Sequence, residues 1–221
     1  MLDYNIIKSP FFFIGLILKI FLIIYFEQSL IEDFYLPFLE LSINQISLDP
    51  WQTWLENNGS IAAFPYGYGM WIFFLPFIFI IKLLDLPMII GYHAAILSAD
   101  ILFLLVIKKL TGQNKNFILF IYWFSPIVFT SVYLLGYNDI IPMLFILLAI
   151  QSLNLKNFFA SGIFCILSIS IKISMILVIP FFFIFIINNS VYKHRLHDFL
   201  KGIFLGSIVL LLPFVIFTPS G

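Results

Sequence analysis

The sequence predicts an all-α fold, a polytopic transmembrane helical bundle of 7–8 membrane helices with a long first external loop that carries short interfacial helices. Three observations predict it. Of the 221 residues, 62% are hydrophobic and 10% are charged, whereas soluble domains are about 45–50% apolar and about 25% charged. The mean hydropathy is +1.11. The apolar residues form continuous runs rather than the alternating pattern of barrel strands.

Eight apolar stretches are candidates for membrane helices, because a crossing helix needs about 20 mainly apolar residues. They are residues 11–26, 68–84, 88–107, 117–135, 140–155, 158–171, 173–188 and 203–218. Each is expected to be helical, since backbone groups in hydrocarbon must be satisfied within their own segment. The first stretch reaches Glu27 without a small-residue cleavage site, so we interpret it as a retained span. Residues 1–221 are expected to form a single transmembrane domain.

The basic residues indicate an orientation, because cytosolic loops carry an excess of Lys and Arg. They cluster at Lys8, in the segment 108–115, at Lys156 and in the segment 193–201. The loop of about residues 27–67 is acidic and is therefore expected to be external. A full crossing by 68–84 would place 108–115 outside. We expect 68–84 instead to dip into the outer leaflet or lie at the interface; the alternative is that the charge rule is broken once.

The first external loop is long enough to suggest a function. Residues 30–46 could form one amphipathic helix, and Asp49-Pro50 is a plausible start for a second. The alternative interpretation is an acidic solvated loop anchored by aromatic residues.

Four ionisable residues within or between the apolar stretches stand out, because such groups are costly at membrane depth and are candidates for function. Lys19 and Asp100 could form a purely structural pair. His93 lies seven residues before Asp100, on the same helix face. Lys172 is expected near the outer surface, where it could neutralise a phosphate.

Several short motifs follow one another along the chain. They are Ile31-Glu32-Asp33-Phe34-Tyr35, Phe64-Pro65-Tyr66-Gly67, Ser98-Ala99-Asp100, Trp123-Phe124-Ser125-Pro126, Gly136-Tyr137-Asn138-Asp139 and Ile171-Lys172-Ile173-Ser174. Their order resembles the amino-terminal half of the GT-C superfamily of integral membrane glycosyltransferases, especially the mannosyltransferase-like branches. The turn 136–139 also resembles the oligosaccharyltransferase catalytic subunits. The resemblance extends from about residue 8 to residue 217, and it implies a fragment or front module of a longer enzyme.

The resemblance implies an inverting transfer of a mannose-like hexose from a polyprenyl phosphate to an acceptor glycan or lipid at the external or lumenal face. It assigns the catalytic carboxylate to Asp33, with Glu32 as its adjacent rival and Asp49 as a weaker one. Substrate contacts are expected from Lys172, Asp139, Tyr137 and Tyr66. A divalent metal, Mg²⁺ or Mn²⁺, held at Asp139 is left open, because Asn138 stands where some relatives have an acid.

Two other functions stay open at this point. One is a non-catalytic membrane subunit of a glycosylation complex, and the other is a lipid or solute transporter that uses the polar groups at Lys19, His93 and Asp100. The expected location is the bacterial cytoplasmic membrane, or the endoplasmic reticulum in a eukaryote. Membrane lipids are expected partners, and nucleic acid is not.

Overall fold

The computed structural model describes residues 4–217, and within that range the chain is helical without any strand. The predicted all-α class is therefore confirmed. The helices are α1 (Pro10–Tyr25), α2 (Leu36–Asn44), α3 (Pro50–Glu56), α4 (Tyr68–Leu83), α5 (Met88–Thr111), α6 (Lys115–Leu134), α7 (Ile140–Asn154), α8 (Phe158–Ile171), α9 (Ile173–Asn188) and α10 (Lys193–Phe217).

Every predicted apolar stretch corresponds to one of these helices. Three of them, α5, α6 and α10, are long enough and apolar enough to cross a membrane, and α1, α4, α7, α8 and α9 are shorter apolar helices. Large apolar side chains also cover the outside of the bundle, for example Ile24, Phe120 and Leu177, which are 68%, 77% and 72% exposed. An apolar exterior of this extent is typical of a lipid-facing surface rather than a water-facing one.

Local breaks in the helices have identifiable causes. Residue Ser125 interrupts α6 just before Pro126, because a proline disfavours helical geometry in the residue before it. The first turns of α9, Ile173–Val178, are 3₁₀-helical, and a π-helical turn, Ile31–Tyr35, leads directly into α2. Asp49 caps α3 by accepting a hydrogen bond from the Gln52 amide at 2.9 Å.

Two ends of the bundle differ in charge. Lys8 and Lys115 line one pocket with Lys108, so the start of α1 and the α5–α6 loop lie at the same end. We call this the basic end, defined by Lys8, the loop 108–115, Lys156 and the segment 193–201. The opposite end, which we call the acidic end, is defined by the loop 27–67, Asp85, the turn 136–139 and Lys172.

Helix α4 returns to the end from which it starts. Helices α1 and α5 are antiparallel, with Phe12 packed in the cluster of Leu104 and Lys19 against Asp100, so α1 ends and α5 begins at the acidic end. Phe74 of α4 stacks on Tyr92 of α5 with ring centroids 4.6 Å apart. The Gly67 amide, directly before α4, donates to the Ile171 carbonyl next to Lys172, and residues 84–87 join the end of α4 to the start of α5. Both ends of α4 therefore lie at the acidic end, and the segment from α2 to α4 stays on that side.

Helices α7, α8 and α10 are held together by close packing. A Cβ atom added to Gly162 would lie 2.4 Å from the Phe199 carbonyl oxygen, and one added to Gly202 would lie 2.1 Å from the Phe159 carbonyl oxygen. Only glycine at these two positions therefore allows α8 and α10 to approach this closely. Ser168 donates a hydrogen bond to the Pro142 carbonyl at 2.8 Å, which ties α8 to α7. Helix α7 begins at the acidic end, after Asp139, and α8 ends there, before Lys172. The turn between the two helices, which contains Lys156, therefore lies at the basic end.

Candidate functional site

A completely buried ion pair lies at the centre of the first half of the bundle. The Lys19 ammonium of α1 contacts the Asp100 carboxylate of α5 at 2.5 Å, and both side chains are 0% exposed. Asp100 also accepts hydrogen bonds from the hydroxyls of Tyr122, at 2.6 Å, and Tyr133. The Lys19 nitrogen lies 3.3 Å from the centre of the Trp123 ring, a cation–π contact.

A glycine leaves space for the Trp123 ring next to this pair. Gly15 lies one turn before Lys19, and a Cβ atom there would be 2.3 Å from the Trp123 ring nitrogen. That nitrogen donates a hydrogen bond to the Phe12 carbonyl at 3.0 Å. With three donors on Asp100 and an aromatic cage around Lys19, the pair is satisfied within the protein. The structural pairing considered from sequence is present, and neither charge is accessible to a solute.

His93 does not join that pair. Its side chain is 9% exposed, and its Nε2 atom has no hydrogen-bond partner among the described residues. Its neighbour Tyr92 is fully buried and packs between Phe74 and Tyr35. His93 therefore lies near the acidic end of α5, beside the aromatic cluster.

A second Lys–Asp pair lies at the acidic end. Asp139 immediately precedes α7, and Lys172 occupies the extended break between α8 and α9, with φ −143° and ψ 114°. Their side chains form an ion pair, with Lys172 31% exposed and Asp139 49% exposed. Two predicted substrate contacts, from elements 33 residues apart, are therefore brought together.

Tyr66 is the third predicted residue in this group. The centre of its ring is 5.8 Å from the Lys172 nitrogen, and its hydroxyl is 3.1 Å from the Tyr35 hydroxyl. Burial, followed by the hydrogen bond with Tyr35, raises the pKa of Tyr66 well above its ordinary value, so the phenol stays protonated. Tyr66 therefore offers a neutral hydroxyl next to a cation.

Two glycines hold the group in place. The Gly67 amide donates to the Ile171 carbonyl at 3.1 Å, and a Cβ atom on Gly67 would lie 2.2 Å from the Ser170 carbonyl oxygen. Gly136 has φ +76°, which favours glycine, and a Cβ atom there would lie 2.9 Å from the Ile31 side chain. The close contact at Gly67 packs the loop before α4 against the end of α8. The close contact at Gly136 packs the π-helical turn before α2 against the end of α6.

Asn138 is the most unusual polar residue of the turn. It is 0% exposed, and neither the nitrogen nor the oxygen of its side-chain amide has a hydrogen-bond partner of good geometry within the described range. The hydroxyls of Tyr66 and Tyr92 lie close enough to interact with this amide, although no hydrogen bond of good geometry joins them to it. A buried amide without a full set of hydrogen bonds is costly, so it is the kind of group that a bound polar molecule would satisfy.

A pocket of about 480 Å³ opens beside Tyr66. Its walls are mainly apolar, with Ser170 as a polar residue, and they come from the loop 61–67, from α3 and from the ends of α8 and α10. The lining residues are Trp51, Ile61, Phe64, Pro65, Tyr66, Gly67, Ile169, Ser170, Ile173 and Leu211. Lys172 does not line this pocket, but its ammonium lies 5.8 Å from the centre of the Tyr66 ring in the pocket wall. An apolar space with a cation this close can accommodate a molecule with an apolar chain and an anionic group.

A neighbouring groove of about 400 Å³ lies on the other side of the turn. Tyr137 and Asp139 both line it, together with Tyr122, Ser131 and Met143 among others. Tyr137 is 42% exposed. Of the predicted substrate contacts, Asp139 thus borders both Lys172 and this groove, whereas Tyr137 borders the groove alone.

The predicted catalytic residues lie at the same end but outside this group. Ile31 and Tyr35, one turn apart, face inward and are 1% and 5% exposed, whereas Glu32 and Asp33 between them are exposed. Because Asp33 is midway between two inward-facing residues, its side chain projects away from Tyr66. Asp49, the weaker rival, is 8% exposed and serves as the cap of α3.

The residues do not form a metal site around Asp139. Within residues 4–217 no group of three His, Cys, Asp or Glu side chains comes together. The Asp139 carboxylate is instead paired with Lys172, whose positive charge opposes a cation. The donor set therefore does not fit the divalent metal left open by the sequence.

Sequence reasoning missed three contributors to this region: Gln28, Tyr92 and Ser170. Gln28 donates to the Tyr133 carbonyl at 2.7 Å and lies against Gly136, while the Tyr92 hydroxyl approaches the Gly136 carbonyl at 3.4 Å. A polar Gln three residues after the last residue of α1 is a weak signal of a helix end, and Tyr92 carries no signal that separates it from ordinary core aromatics.

Comparison with protein-family models, with curated proteins and with solved structures finds no match for this chain. The function must therefore be inferred from the chemistry of the residues themselves.

Proposed function

We propose that the chain crosses the membrane seven times, through α1 and α5–α10, with α4 embedded at the acidic end. The proposal is supported by the position of both ends of α4 at the acidic end and by the charge of the two ends of the bundle. Eight of the eleven Lys and Arg residues belong to the basic end, which the positive-inside rule assigns to the cytosol. The acidic end would then face the outside or the lumen.

At that end we propose a site for a sugar carried on a polyprenyl phosphate, which the protein transfers to an acceptor. The observation that carries the proposal is the apolar pocket of about 480 Å³ with Tyr66 in its wall and the Lys172 ammonium next to the Tyr66 ring. The lipid tail would lie in the pocket and in the surrounding bilayer. Its phosphate would accept hydrogen bonds from Lys172 and Tyr66.

The transfer requires one bond to form and one to break. An acceptor hydroxyl oxygen attacks the anomeric carbon, and the bond from that carbon to the phosphate oxygen breaks, with its electron pair leaving on the phosphate. The developing negative charge is stabilised by a cation aimed at it, which is the role we assign to Lys172. The hydroxyl proton passes to a carboxylate base, a step that typically contributes about 10²–10⁴-fold in rate.

Two carboxylates compete for the role of base. Asp33, with Glu32 beside it, is the prediction from sequence and lies exposed at the acidic end. Asp139 is the carboxylate in contact with Lys172, and a phosphate that binds Lys172 would release it. If Asp33 is the base, the acceptor approaches from the outer surface; if Asp139 is the base, it approaches through the groove lined by Tyr137.

The exposed, outward position of Asp33 favours a second candidate function. In this alternative the chain is a non-catalytic membrane subunit that binds the lipid-linked sugar and presents it to a separate enzyme. A transporter that uses Lys19 and Asp100 is less favoured, because that pair is 0% exposed and fully satisfied.

The test is transfer by the full chain in lipid nanodiscs, with a panel of polyprenyl-phosphate hexoses and extracted membrane glycolipids as acceptors. We expect product with the unmodified chain and loss of product in Lys172→Gln, whereas Lys82→Gln, the same change at another lysine of the acidic end, retains it. Asp33→Asn and Asp139→Asn identify the base. Binding without product, restored to transfer by a partner protein, would favour the accessory subunit, and absence of both would refute the proposal.

A further inference from the structure

Two apolar side chains of the segment 27–67 project from the surface at the acidic end. Leu48 lies just before α3 and Ile61 lies five residues after it, and they are 67% and 87% exposed. Among the residues that the structure describes, Ile46 alone, at 88%, is a more exposed large apolar side chain than Ile61. Single exposed apolar side chains are common, but contiguous ones mark a contact with a protein or a membrane, so their arrangement decides what they mean.

The backbone around Ile61 is fixed, so its exposure is a property of the fold. The ring nitrogen of Trp54 donates to the Ser60 carbonyl at 2.9 Å, directly before Ile61. The ring nitrogen of Trp51 donates to the Phe64 carbonyl at 3.0 Å, directly after the 3₁₀ turn that Ile61 begins. Ile61 is therefore held between two anchored carbonyls, and turning it inward would require one of these hydrogen bonds to break.

Leu48 and Ile61 belong to one surface, because two aromatic residues lie between them. The Tyr68 hydroxyl donates to the Leu48 carbonyl at 2.6 Å, and the rings of Tyr68 and Trp51 have centroids 5.8 Å apart. Trp51 and Ile61 both line the pocket of about 480 Å³. We call these four residues, Leu48, Trp51, Ile61 and Tyr68, the apolar rim of that pocket. Its two aromatic residues are of the types enriched where a membrane meets water.

The apolar rim adjoins the apolar exterior of the bundle. The same pocket is lined by Ile173 of α9 and Leu211 of α10. Ile173 is 71% exposed, and Leu177, about one turn later in α9, is 72% exposed. Both side chains belong to the exterior that is typical of contact with lipid. Lipid that covers the start of α9 therefore also meets Ile61 across the pocket.

Helix α3 is polar on a side that does not face the rim. Gln52 and Glu56 are exposed, and the Gln52 side-chain amide donates to the Glu56 carboxylate at 2.8 Å. Trp51, on a different side of the same helix, is 7% exposed and faces the pocket. A short element with one apolar side and one polar side is suited to the boundary between lipid and water.

We propose that the apolar rim inserts into the membrane leaflet at the acidic end, so that the pocket opens to lipid hydrocarbon rather than to water. Interfacial segments bury their apolar side by about 5–10 Å. The pocket then receives its ligand sideways from the leaflet, and that ligand is an amphiphile already dissolved there. This holds whichever group the protein transfers, so the inference does not rest on glycosyl transfer.

The test is spin labelling of the full chain in lipid nanodiscs, which distinguishes hydrocarbon from water at single residues. In a Cys165→Ala background, which removes the chain's one cysteine, labels are attached to Leu48→Cys and Ile61→Cys. Leu177→Cys is the hydrocarbon reference, and Glu56→Cys is the water reference. Oxygen concentrates in hydrocarbon, whereas a nickel chelate stays in water. We expect the ratio of oxygen to nickel collisions at 48 and 61 to approach that at 177 and to exceed that at 56 several-fold.

The same measurement can overturn the proposal. A collision ratio at 48 and 61 equal to that at 56 would show that water covers the rim. Protection of both positions from oxygen and from nickel would show that a protein segment or a second copy covers it. Neither outcome involves Lys172, so failure of this inference is distinguishable from failure of the proposed transfer.

A second measurement uses the unmodified chain, in case a labelled variant does not fold. A phospholipid that carries a diazirine on its acyl chain is photo-crosslinked to the protein in nanodiscs, and the attachment sites are mapped by mass spectrometry. We expect crosslinks at Leu48 and Ile61 and few at Gln52 and Glu56. Crosslinks as frequent at Gln52 and Glu56 as at the rim would overturn the proposal.

Discussion

Two Lys–Asp pairs connect helices in this protein, and they differ in almost every other respect. The pair of Lys19 and Asp100 is 0% exposed on both sides, and two tyrosine hydroxyls complete the hydrogen bonds of its carboxylate. The pair of Lys172 and Asp139 is 31% and 49% exposed, and its lysine lies next to the ring of Tyr66, which lines a pocket. The same two residue types thus form one pair that is closed to solvent and one, the open pair, that is partly exposed.

The difference indicates which pair is structural and which can take part in binding. A buried charge that loses its partner is strongly destabilising, so the first pair is fixed in the folded protein. A partly exposed pair contributes little to stability, so its lysine can exchange a carboxylate for another anion at small cost. The proposed site therefore belongs to the weaker of the two pairs.

The largest expected effect comes from breaking the buried pair. Lys19→Met leaves the Asp100 carboxylate without its cation and should lower the free energy of unfolding by about 3–5 kcal/mol. The measurement is thermal or denaturant unfolding of the purified chain in detergent. The double variant Lys19→Met, Asp100→Asn should recover much of that loss, because a neutral amide replaces the unpaired charge. Equal instability of the two variants would show that charge is not the reason.

A smaller effect should follow from removing one hydrogen bond to the same carboxylate. Tyr122→Phe deletes a donor to Asp100, and a hydrogen bond to a charged group contributes about 1.5–3 kcal/mol. The matched change at the open region, Tyr35→Phe, deletes a contact between two neutral hydroxyls and should cost about 1 kcal/mol. The measurement is the loss of unfolding free energy in Tyr122→Phe compared with the loss in Tyr35→Phe. A larger loss for Tyr35→Phe would contradict the assignment of the structural role to the buried pair.

A steric change should affect the open site by way of its loop. In Gly67→Ala the new Cβ atom would meet the Ser170 carbonyl, so the loop that carries Tyr66 must move away from Lys172. Overpacking of this kind costs typically about 1–3 kcal/mol. Binding of a short polyprenyl phosphate should weaken as well. Gly112→Ala is the control for a loss of stability without a clash at the site: its φ of +63° disfavours alanine, but nothing lies within 4 Å of the added atom, so it should destabilise the chain without weakening binding. Unchanged binding in Gly67→Ala would separate Tyr66 from the site.

The smallest effect on stability is expected at the open pair itself. Lys172→Met should change the free energy of unfolding by about 0–1 kcal/mol, because the pair is partly solvated. The measurement is the same unfolding experiment as for Lys19→Met, so the two methionine variants form a matched set. A loss of about 3 kcal/mol or more at Lys172 would remove the distinction between the pairs.

Much of the fold could be predicted from residue order, because long apolar runs in lipid have helical backbones as their solution. The eight apolar helices and the charge difference between the ends follow from the order of apolar and charged residues along the chain. The pairing of Lys19 with Asp100 could be considered, but Tyr122 and Tyr133 as its donors could not, since their approach depends on how α6 packs.

The candidate site was predictable in part. Lys172 and Asp139 were predicted from their positions at the ends of apolar runs, and Tyr66 from the loop motif 64–67; the structure brings the three side chains together. The direction of Asp33 could not be read from the sequence, because it depends on the π-helical turn at Ile31–Tyr35 and on the packing of Ile31 against Gly136. Periodicity does not reveal either feature.

The most direct test of the account is the affinity of the full chain for a short-chain polyprenyl phosphate, measured for Lys172→Gln and for Asp139→Asn. The two variants should change the affinity in opposite directions. Lys172→Gln should weaken binding about ten- to a hundredfold, the loss of one hydrogen-bonded charge, whereas Asp139→Asn should strengthen it, because the lysine no longer has a competing carboxylate. Equal weakening in both variants, or no change in either, would contradict the claim that Lys172 exchanges Asp139 for the phosphate.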